Sequence, residues 1–145
     1  MNKEKRVWIA LFLALTLMVV LSGCSGLPKT AELTISINPN PVPCSSEDGK
    51  WHSTITISES NGVGITLTSV RFDSYDQEDQ LYDSQFLYEE DIIDWFESNY
   101  IPAFSMLQTE VQYSGTGNYT ILTIEGVDDN ENLIEATGRV DYLPQ

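Results

Sequence analysis

Carboxylate and amide side chains cluster in a turn near the C-terminal end of the sequence, where they could bind a metal ion. Residues 128–132 (DDNEN) place oxygen-bearing side chains at alternate positions, and calcium takes about six to eight oxygen ligands. The pattern departs from a calcium loop, because Leu133 stands where the loop glycine belongs and Arg139 where the bidentate glutamate belongs. A second acidic group contains Asp73, Asp76, Glu78 and Asp79. Hairpin turns on an acidic surface are the favoured explanation of both groups, so calcium is a secondary hypothesis and no metal-ligand set is predicted.

Histidine and cysteine, which commonly serve as bases and nucleophiles, are sparse in this sequence. His52 is the single histidine, and the alternation of the surrounding residues places it on the outward face of a strand, without a recognisable partner motif. Acyl-transfer catalysis needs a nucleophile, a base and an orienting group in one place. Cys44, within a Pro-Val-Pro-Cys-Ser run, is interpreted as a small, partly buried thiol. The sequence therefore predicts no catalytic residues and a protein that is not an enzyme, and zinc is disfavoured because its usual ligands are scarce.

Aromatic side chains are concentrated in one segment that does not alternate as a strand would. Trp95, Phe96 and Tyr100 lie close together there, with Tyr88 and Phe104 on either side. Tryptophan and tyrosine on an irregular segment can form a binding patch for a protein or a sugar ring. The alternative is that these rings close one end of the domain and complete its core, and the many aliphatic neighbours favour it. The patch made of the first three residues stays a hypothesis.

The N-terminal segment has the pattern of an export signal. Lys3, Lys5 and Arg6 give a positively charged start, and an uninterrupted apolar run follows from residue 7 to residue 21. A charged start, a short apolar core and small residues before a cleavage point are typical of secretory signals. The run is shorter than the roughly 20 residues that a membrane-spanning helix needs. We therefore predict a signal helix over residues 1–23.

The end of this segment reads Leu21-Ser22-Gly23-Cys24 and resembles the lipobox of bacterial lipoproteins at all four positions. The resemblance implies that the signal is cut before Cys24 and that its thiol carries a diacylglyceryl group. Two or three acyl chains are needed for stable anchoring, since a single chain holds a protein only marginally. An uncleaved anchor helix, or a secretory signal with a chance cysteine, are the alternatives.

Charge and cysteine content restrict the part of the chain that follows. The formal net charge is −15 at pH 7, and the predicted signal contributes a positive share, so the remainder is more acidic still. Such a charge argues against binding nucleic acid or an anionic lipid surface. Acylation of Cys24 would leave Cys44 without an intramolecular partner, so no disulfide is expected. We predict a short tether over residues 24–30 and one domain over residues 31–145.

Beyond the tether, the dominant pattern is alternation of apolar and polar residues with a period of two, which indicates strands. Seven strands are predicted, lying near residues 31–38, 51–58, 65–72, 81–88, 107–113, 119–127 and 134–142. A phase change near Thr68 and Ser69 indicates a β-bulge in the third strand. Residues 89–97 break the alternation, with acids first and apolar residues at helical spacing, so we expect a short helical insert. The pattern predicts an all-β, antiparallel sandwich.

Several stretches are similar to immunoglobulin-like or fibronectin-type-III-like domains of bacterial surface proteins. They are residues 38–43, 51–59, 61–64, 117–119 and the closing hairpin across 128–132. The resemblance implies the sandwich fold and a role in adhesion or assembly. It departs from antibody-type domains, because the paired core cysteines are missing, and this fold supports many functions.

These observations favour a lipid-anchored protein that faces outward from the cell membrane or outer envelope. The expected function is a non-catalytic binding or assembly module of the envelope, with the membrane and an envelope protein or glycan as partners. This hypothesis predicts an exposed apolar patch or a free sheet edge. The alternative is a calcium- or glycan-binding surface or adhesion domain. That alternative predicts converging carboxylates, or an aromatic platform flanked by polar groups.

Overall fold

Alternating side chains produce strands along most of the chain that follows the predicted tether. The computed structural model describes residues 29–114 and 117–143. The predicted signal helix, Cys24 and most of the tether lie outside the described residues. Within those residues the strands are β1 (Leu33–Asn38), β2 (Trp51–Glu59), β3 (Ile65–Tyr75), β4 (Leu81–Tyr88), β5 (Tyr100–Ile101), β6 (Met106–Tyr113), β7 (Tyr119–Asp128) and β8 (Leu133–Asp141), with one helix, α1 (Glu89–Phe96).

The strands form two antiparallel sheets that pack face to face. One sheet has the order β1-β2-β6, and the other has the order β4-β3-β7-β8, with β5 paired to the start of β3. The predicted all-β, immunoglobulin-like sandwich with a helical insert is thereby confirmed. The described residues contain eight strands rather than seven, because the two-residue β5 pairs with Ile65 and Thr66 beyond the helix.

Inward-facing residues of both sheets build a single apolar core. In β2 and β3 the buried positions alternate with less buried ones, as the period of two requires. The two central strands of the larger sheet place Val70 opposite Ile124 and Phe72 opposite Leu122. Fully buried aliphatic side chains include Val42, Ile55, Ile57, Ile65, Leu67, Val70, Leu122, Ile124 and Val140. At roughly 1.5–3 kcal/mol for each fully buried large side chain, this core is the main stabilising contribution.

A β-bulge in β3 explains why its apolar residues change parity. The register of β3 against β7 shifts between Leu67 and Ser69, so Thr68 is the extra residue. Leu67 before the shift and Val70 after it both face the core. The bulge predicted from the phase change is confirmed.

The proline-rich run after β1 carries the chain from the smaller sheet to the end of the larger one. Val42 donates its backbone N–H to the carbonyl of Asp141 at 2.8 Å, and Leu143 donates to the carbonyl of Val42 at 2.9 Å. The Asn40 amide also donates to the carbonyl of Arg139 at 2.8 Å. Proline has no N–H for a ladder, so this run covers the end of β8 with a few bonds and does not extend β1.

The helix begins directly after β4 and fills the gap between the two sheets at one side. The Asp91 carboxylate accepts the backbone N–H of Tyr88 at 3.1 Å, and acids in the first turn interact favourably with the helix dipole. Ile92 and Phe96, four residues apart on one face, are buried. Glu97 adopts a left-handed conformation with φ of 64° and ends the helix. The insert predicted over residues 89–97 is confirmed.

Helix α1, the one helix in the two described stretches, is not long and apolar enough to cross a bilayer.

Candidate functional site

The two sides of the sandwich differ in how their edge strands are covered. On one side, which we call the closed side, β1 lies against β8. Gly138 of β8 lets Ile35 approach so closely that a Cβ at the glycine would lie 2.7 Å from Ile35 Cγ2. On the other side, which we call the open side, β4 and β6 are the outermost strands of their sheets. Helix α1 packs between them and contacts β3, β4 and β6.

Strand β4 presents a free edge, since among the described strands only β3 pairs with it. It is exposed along its length, and Leu87 is its one buried residue. Phe86 and Tyr88 on its outer face are 49% and 64% exposed, and their rings stack at 6.4 Å with planes 14° apart. The Arg71 guanidinium lies 5.9 Å from the Phe86 ring centroid, a cation–π contact. Residues Leu81–Tyr88 together form what we call the β4 edge.

Acidic side chains surround the β4 edge. Arg71, its nearest cation, is already paired with Asp73, with 2.9 Å between Nε and Oδ2. The acids in or beside the strand are Asp76, Glu78, Asp79, Asp83, Glu89, Glu90 and Asp91. Their combined field attracts cationic groups and repels a second copy of the same surface.

Aromatic rings line a cavity of about 220 Å³ that opens between the sheets on the open side. Trp51 and Tyr113 are direct neighbours across β2 and β6, and the Tyr142 ring lies 5.0 Å from the first and 5.3 Å from the second. On the opposite wall the Trp95 ring lies 5.6 Å from that of Phe72. We call this space the ring cavity, and its aromatic lining is Trp51, Phe72, Tyr82, Trp95, Tyr113 and Tyr142.

Polar side chains from both edge strands form the rim of the ring cavity. Asp83 and Gln85 come from β4, and Gln112 comes from β6. The Gln112 amide oxygen accepts a hydrogen bond from the Lys50 ammonium group, with 3.3 Å between Oε1 and Nζ. Within residues 29–114 and 117–143, the side chains of Asp83 and Gln85 form no hydrogen bond with the protein. Gly117 also lines the rim, where the Tyr82 hydroxyl lies 2.6 Å from the position that a Cβ would take.

The three residues of the predicted aromatic patch face different surroundings. Phe96 is 4% exposed and belongs to the core, whereas Trp95 is partly buried and lines the ring cavity. Tyr100 lies near the other end of β3, where its hydroxyl donates to Asp129 at 3.1 Å. That hydrogen bond to the Asp129 carboxylate raises the pKa of Tyr100 above its ordinary value. The patch predicted from their closeness in sequence is therefore divided among a core, a cavity and a surface hydrogen bond.

Burial raises the pKa values of the two tyrosines at the floor of the ring cavity, Tyr113 and Tyr142. Burial raises the pKa of Tyr113 to about 12, and the nearby Ser53 hydroxyl offsets this only in part. The Ser53 and Tyr113 hydroxyl groups do not form a hydrogen bond with each other. Burial also raises the pKa of Tyr142, against a smaller opposing contribution from Thr120, to which the Tyr142 hydroxyl donates at 3.0 Å. Both phenols therefore stay neutral across physiological pH.

His52 lies on the outer face of β2, as its position in the alternation predicts. Its Nε2 is 2.8 Å from Asp48 Oδ2. Burial acts to raise the pKa of Asp48, but the Lys50 backbone N–H and His52 outweigh it, so the pKa is lowered. Ser53 is buried on the opposite face of the strand. The histidine and carboxylate pair thus lies on the face of β2 opposite to Ser53.

Cys44 is half-buried and free, and it packs against the apolar core. Its Sγ lies 3.8 Å from the Ser45 carbonyl. These contacts agree with the interpretation as a small apolar side chain.

The two acidic turns considered for calcium share one hydrogen-bond pattern. Asp76 Oδ1 accepts the backbone N–H groups of Glu78 and Gln80, each at 2.9 Å. Asp128 Oδ1 likewise accepts those of Asn130 and Asn132, each at 2.9 Å. The fourth residue of each turn has a positive φ, 59° at Asp79 and 65° at Glu131.

In the second turn both carboxylate oxygens are engaged. Asp128 Oδ2 accepts the backbone N–H of Ala31 and the side-chain amide of Asn132, each at 3.0 Å. Burial acts to raise the pKa of Asp128, but the bonds from Asn132, Ala31 and Asn130 lower it overall. Over residues 29–114 and 117–143, no three Asp, Glu, His or Cys side chains come together as a metal site would require. Turn formation thus accounts for the acidic pattern that suggested calcium.

Glu59, the last residue of β2, was not singled out by the sequence, and its carboxylate accepts four backbone N–H groups. It is 3% exposed and accepts backbone N–H groups from Glu32, Asn61, Gly62 and Phe104. Burial acts to raise its pKa, but these four bonds outweigh that effect and lower the pKa to about 2. Its role is to tie the chain entering β1 to the chain entering β6. The one sequence feature that could have indicated this role is an acidic residue at a strand position that faces the core. A single residue of this kind does not form a recognisable pattern.

Sequence reasoning also missed most of the ring cavity. Trp51, Tyr113 and Tyr142 lie in predicted strands, but nothing in their spacing shows that they meet beside a space. Gln85 gave no signal at all, because an exposed glutamine in a strand is ordinary. The cavity is assembled from strands of both sheets, so it becomes visible only in the fold.

Comparison with known proteins defines the class of fold and goes no further. No protein-family model and no curated protein matches the chain. An X-ray structure of a Northeast Structural Genomics Consortium target is similar, with a TM-score of 0.53 and 14% identity over 81% of this chain and 90% of that chain. A protein from Bordetella pertussis described as ApaA has a TM-score of 0.51 and 13% identity over 80% of this chain and 98% of that one.

A CARDB domain from Pyrococcus furiosus, in complex with di-metal ions, has a TM-score of 0.44 and 15% identity over 82% of this chain and 99% of that chain. At these sequence identities the similarities concern the fold alone. The TM-score of the CARDB domain is too low to carry an argument. The chain is a two-sheet β-sandwich, and its function must be argued from its own surfaces.

Proposed function

We propose that this protein is a lipid-anchored, extracytoplasmic module of the cell envelope that binds a partner protein without catalysing a reaction. The observation that carries the proposal is the β4 edge, an unpaired strand with exposed aromatic rings. Natural proteins usually protect such edges with charged side chains, bulges, proline, a very short strand or a covering segment. Asp83 and the irregular register at the start of β4 protect its first half, so the second half, with Phe86 and Tyr88, is the part that can serve as a template for another strand.

The anchoring part of the proposal rests on residues 21–24. A lipobox followed by a short polar stretch would hold the domain close to the bilayer through acyl chains on Cys24. An acidic domain is repelled by anionic headgroups, so the anchor, and not the domain surface, would provide membrane attachment. The β4 edge would then remain available to partners in the envelope.

The chemistry of the β4 edge indicates an extended partner segment that is apolar with flanking lysine or arginine residues. Backbone groups of the edge would supply hydrogen bonds to an added strand, and Phe86 and Tyr88 would supply apolar area. The acids at both ends of the strand complement cations on the partner. A second copy of this chain is disfavoured, because two acidic edges would repel one another.

Cross-linking in the native membrane tests this proposal. A photo-reactive amino acid replacing Tyr88 should capture one partner protein in near-stoichiometric amounts, identified by mass spectrometry. The same reagent replacing Thr137, an exposed residue of β8 on the closed side, is the matched control and should not capture it. Capture from both positions, or from neither, would contradict the proposal.

Two variants separate the binding surface from the anchor. Phe86→Lys places a cation on the edge, which should repel a basic partner and abolish capture, whereas Thr137→Lys should leave capture unchanged. Cys24→Ser should release the protein from the membrane fraction. If the Cys24→Ser protein stays in the membrane fraction, the lipid-anchor part fails while the β4 edge can still be judged.

A further inference from the structure

The ring cavity is independent of the outer face of the β4 edge and has the features of a small-molecule site. Its volume of about 220 Å³ lies below the roughly 300–1,000 Å³ typical of pockets for drug-sized ligands. The space therefore suits one small ring and not an extended molecule. It opens to solvent between the edge strands, so a ligand or the end of a chain could enter from outside.

Aromatic rings form the walls of the cavity. The Trp51, Tyr113 and Tyr142 rings contact one another on one side, and the Trp95 ring contacts Phe72 on the other. Trp51, Phe72 and Tyr142 are buried, so they hold the wall in place without offering a face to a ligand. Trp95 is partly exposed and offers the surface against which a ring with apolar C–H faces can stack.

Polar groups at the rim require a ligand that also carries hydroxyl or amide groups. Gln85 offers two donors and an acceptor, and Asp83 offers acceptors only. Both side chains are exposed, so solvent reaches them in the free protein. An apolar ligand that covers them would leave them without hydrogen-bond partners, and this loses affinity. A ring bearing hydroxyl groups would replace them.

Charge decides between the remaining classes of ring. Asp83 is the single charged residue among the described residues that line the ring cavity. An anionic ring would meet this carboxylate and a strongly acidic protein, with no cation in the lining to pair with it. We propose that the ring cavity binds one uncharged sugar ring, such as the terminal unit of a glycan, stacked beside Trp95 and hydrogen-bonded to Gln85 and Asp83.

Intrinsic fluorescence reports directly on this site, because Trp51 and Trp95 line the cavity and the chain has three tryptophans in all. Full-length protein in a sugar-free detergent is titrated with glucose, galactose, mannose and N-acetylglucosamine. Glucuronic acid is the anionic control and indole is the apolar ring control. At least one neutral sugar should give a saturable change in the millimolar range. Glucuronic acid and indole should bind more weakly than that sugar.

Variants at the rim tie any binding to the cavity. Gln85→Ala should weaken the sugar affinity about 3- to 10-fold, since it removes one or two hydrogen bonds. Asp83→Asn, which keeps an acceptor oxygen, should weaken it less. Gln108→Ala, an exposed glutamine of β6 outside the cavity, is the matched control and should leave both affinity and melting temperature unchanged. Gln85→Ala should also leave the melting temperature unchanged, because Gln85 is exposed.

Three results would overturn the proposal. The first is the absence of a saturable signal with all four neutral sugars. The second is a sugar affinity that Gln85→Ala does not change, which would locate binding elsewhere. The third is binding of indole or glucuronic acid as tight as that of the best sugar, which would assign the cavity to a different chemistry.

Discussion

The closed and open sides of this sandwich show two ways in which edge strands can be arranged. On the closed side β1 and β8 lie in contact, Ile35 packs onto Gly138, and the proline-rich run covers the end of β8. On the open side the edges of β4 and β6 are kept apart by helix α1, which fills the gap with two buried side chains. That separation leaves a strand edge and an aromatic cavity accessible. Under the proposed function, the closed side serves stability and the open side serves recognition.

The sharpest contrast within the open side is between an exposed ring and a buried ring at the two ends of helix α1, Tyr88 and Phe96. Phe96→Ala should lower the free energy of unfolding by about 3–5 kcal/mol, because it leaves a cavity in the core. Tyr88→Ala, at an exposed ring, should change it by no more than about 0.5 kcal/mol. Urea unfolding followed by circular dichroism measures both. Equal losses would mean that the β4 edge is part of the core and would remove the basis of the proposed function.

Glu59 connects the two sides, and its protonation should weaken that connection. Its pKa is lowered from 4.5 to about 2 in the folded protein, so the unfolded chain binds the proton more tightly. The stability that Glu59 contributes is therefore fully present above pH 4.5 and is lost as the pH falls from 4.5 towards 2. Glu59→Gln should flatten this part of the pH profile and lower stability at pH 7 by about 2–3 kcal/mol, because bonds to a charged acceptor are lost.

The matched control for this experiment is Glu110→Gln, at an exposed position of β6. It should leave both the stability at pH 7 and the acid limb of the profile close to those of the unmodified protein. A Glu59→Gln protein with an unchanged acid limb would show that another carboxylate dominates acid unfolding.

Trp95 separates the two interpretations of the aromatic segment. Trp95→Ala should cost about 2 kcal/mol of unfolding free energy, less than a fully buried tryptophan, because the ring is only partly buried against Phe72. Thermal or urea unfolding measures the loss. Unchanged stability would mean that the ring serves binding alone, and a loss as large as that of Phe96→Ala would make it a core residue.

Two glycines, Gly138 on the closed side and Gly117 on the open side, allow the two sides to be compared by adding a single methyl group to each. At Gly138 an added methyl group meets Ile35, at 2.7 Å, in the contact between β1 and β8. At Gly117 it meets the Tyr82 hydroxyl, at 2.6 Å, at the end of a half-exposed side chain that can turn away. Gly138→Ala should cost about 1–3 kcal/mol as an overpacked contact does, and Gly117→Ala less than about 1 kcal/mol.

Removing the neighbour checks the origin of the first effect. Ile35→Ala removes the Cγ2 that the new methyl group meets, so the loss in the double variant with Gly138→Ala should be smaller than the sum of the two single losses. Additive losses in the double variant would show that the contact with Ile35 is not the cause.

Local sequence patterns were enough to predict the fold, because apolar residues in a strand mark the positions that face the core. The alternation in β2, the parity change in β3 and the acid-rich start of α1 each depend on neighbours a few residues away. The turn chemistry was equally local: Asp76 and Asp128 accept N–H groups two and four residues further along the chain. For the same reason, the calcium-like spacing of residues 128–132 could be explained as a turn before the fold was known.

The arrangement of the sheets was not available from such patterns. Trp95, Phe96 and Tyr100 are close in sequence, yet a helix end and a short strand send them to three different surroundings. Trp51 and Tyr142 are 91 residues apart and meet with ring centroids 5.0 Å apart. Contacts of this kind depend on which strands become edges and which sheets face one another, and a period of two carries no information about either.

The sequence by itself determined the class of fold and the acidic character, and it predicts an export signal with lipid attachment at Cys24. These follow from composition and short-range order, which act on each segment separately. Tertiary structure alone decided that β4 is a free edge, that Glu59 joins four backbone groups, and that six aromatic rings enclose a cavity. Each of these requires distant segments to be held together by one core, because a surface or a cavity belongs to a packed arrangement and not to any segment of the chain.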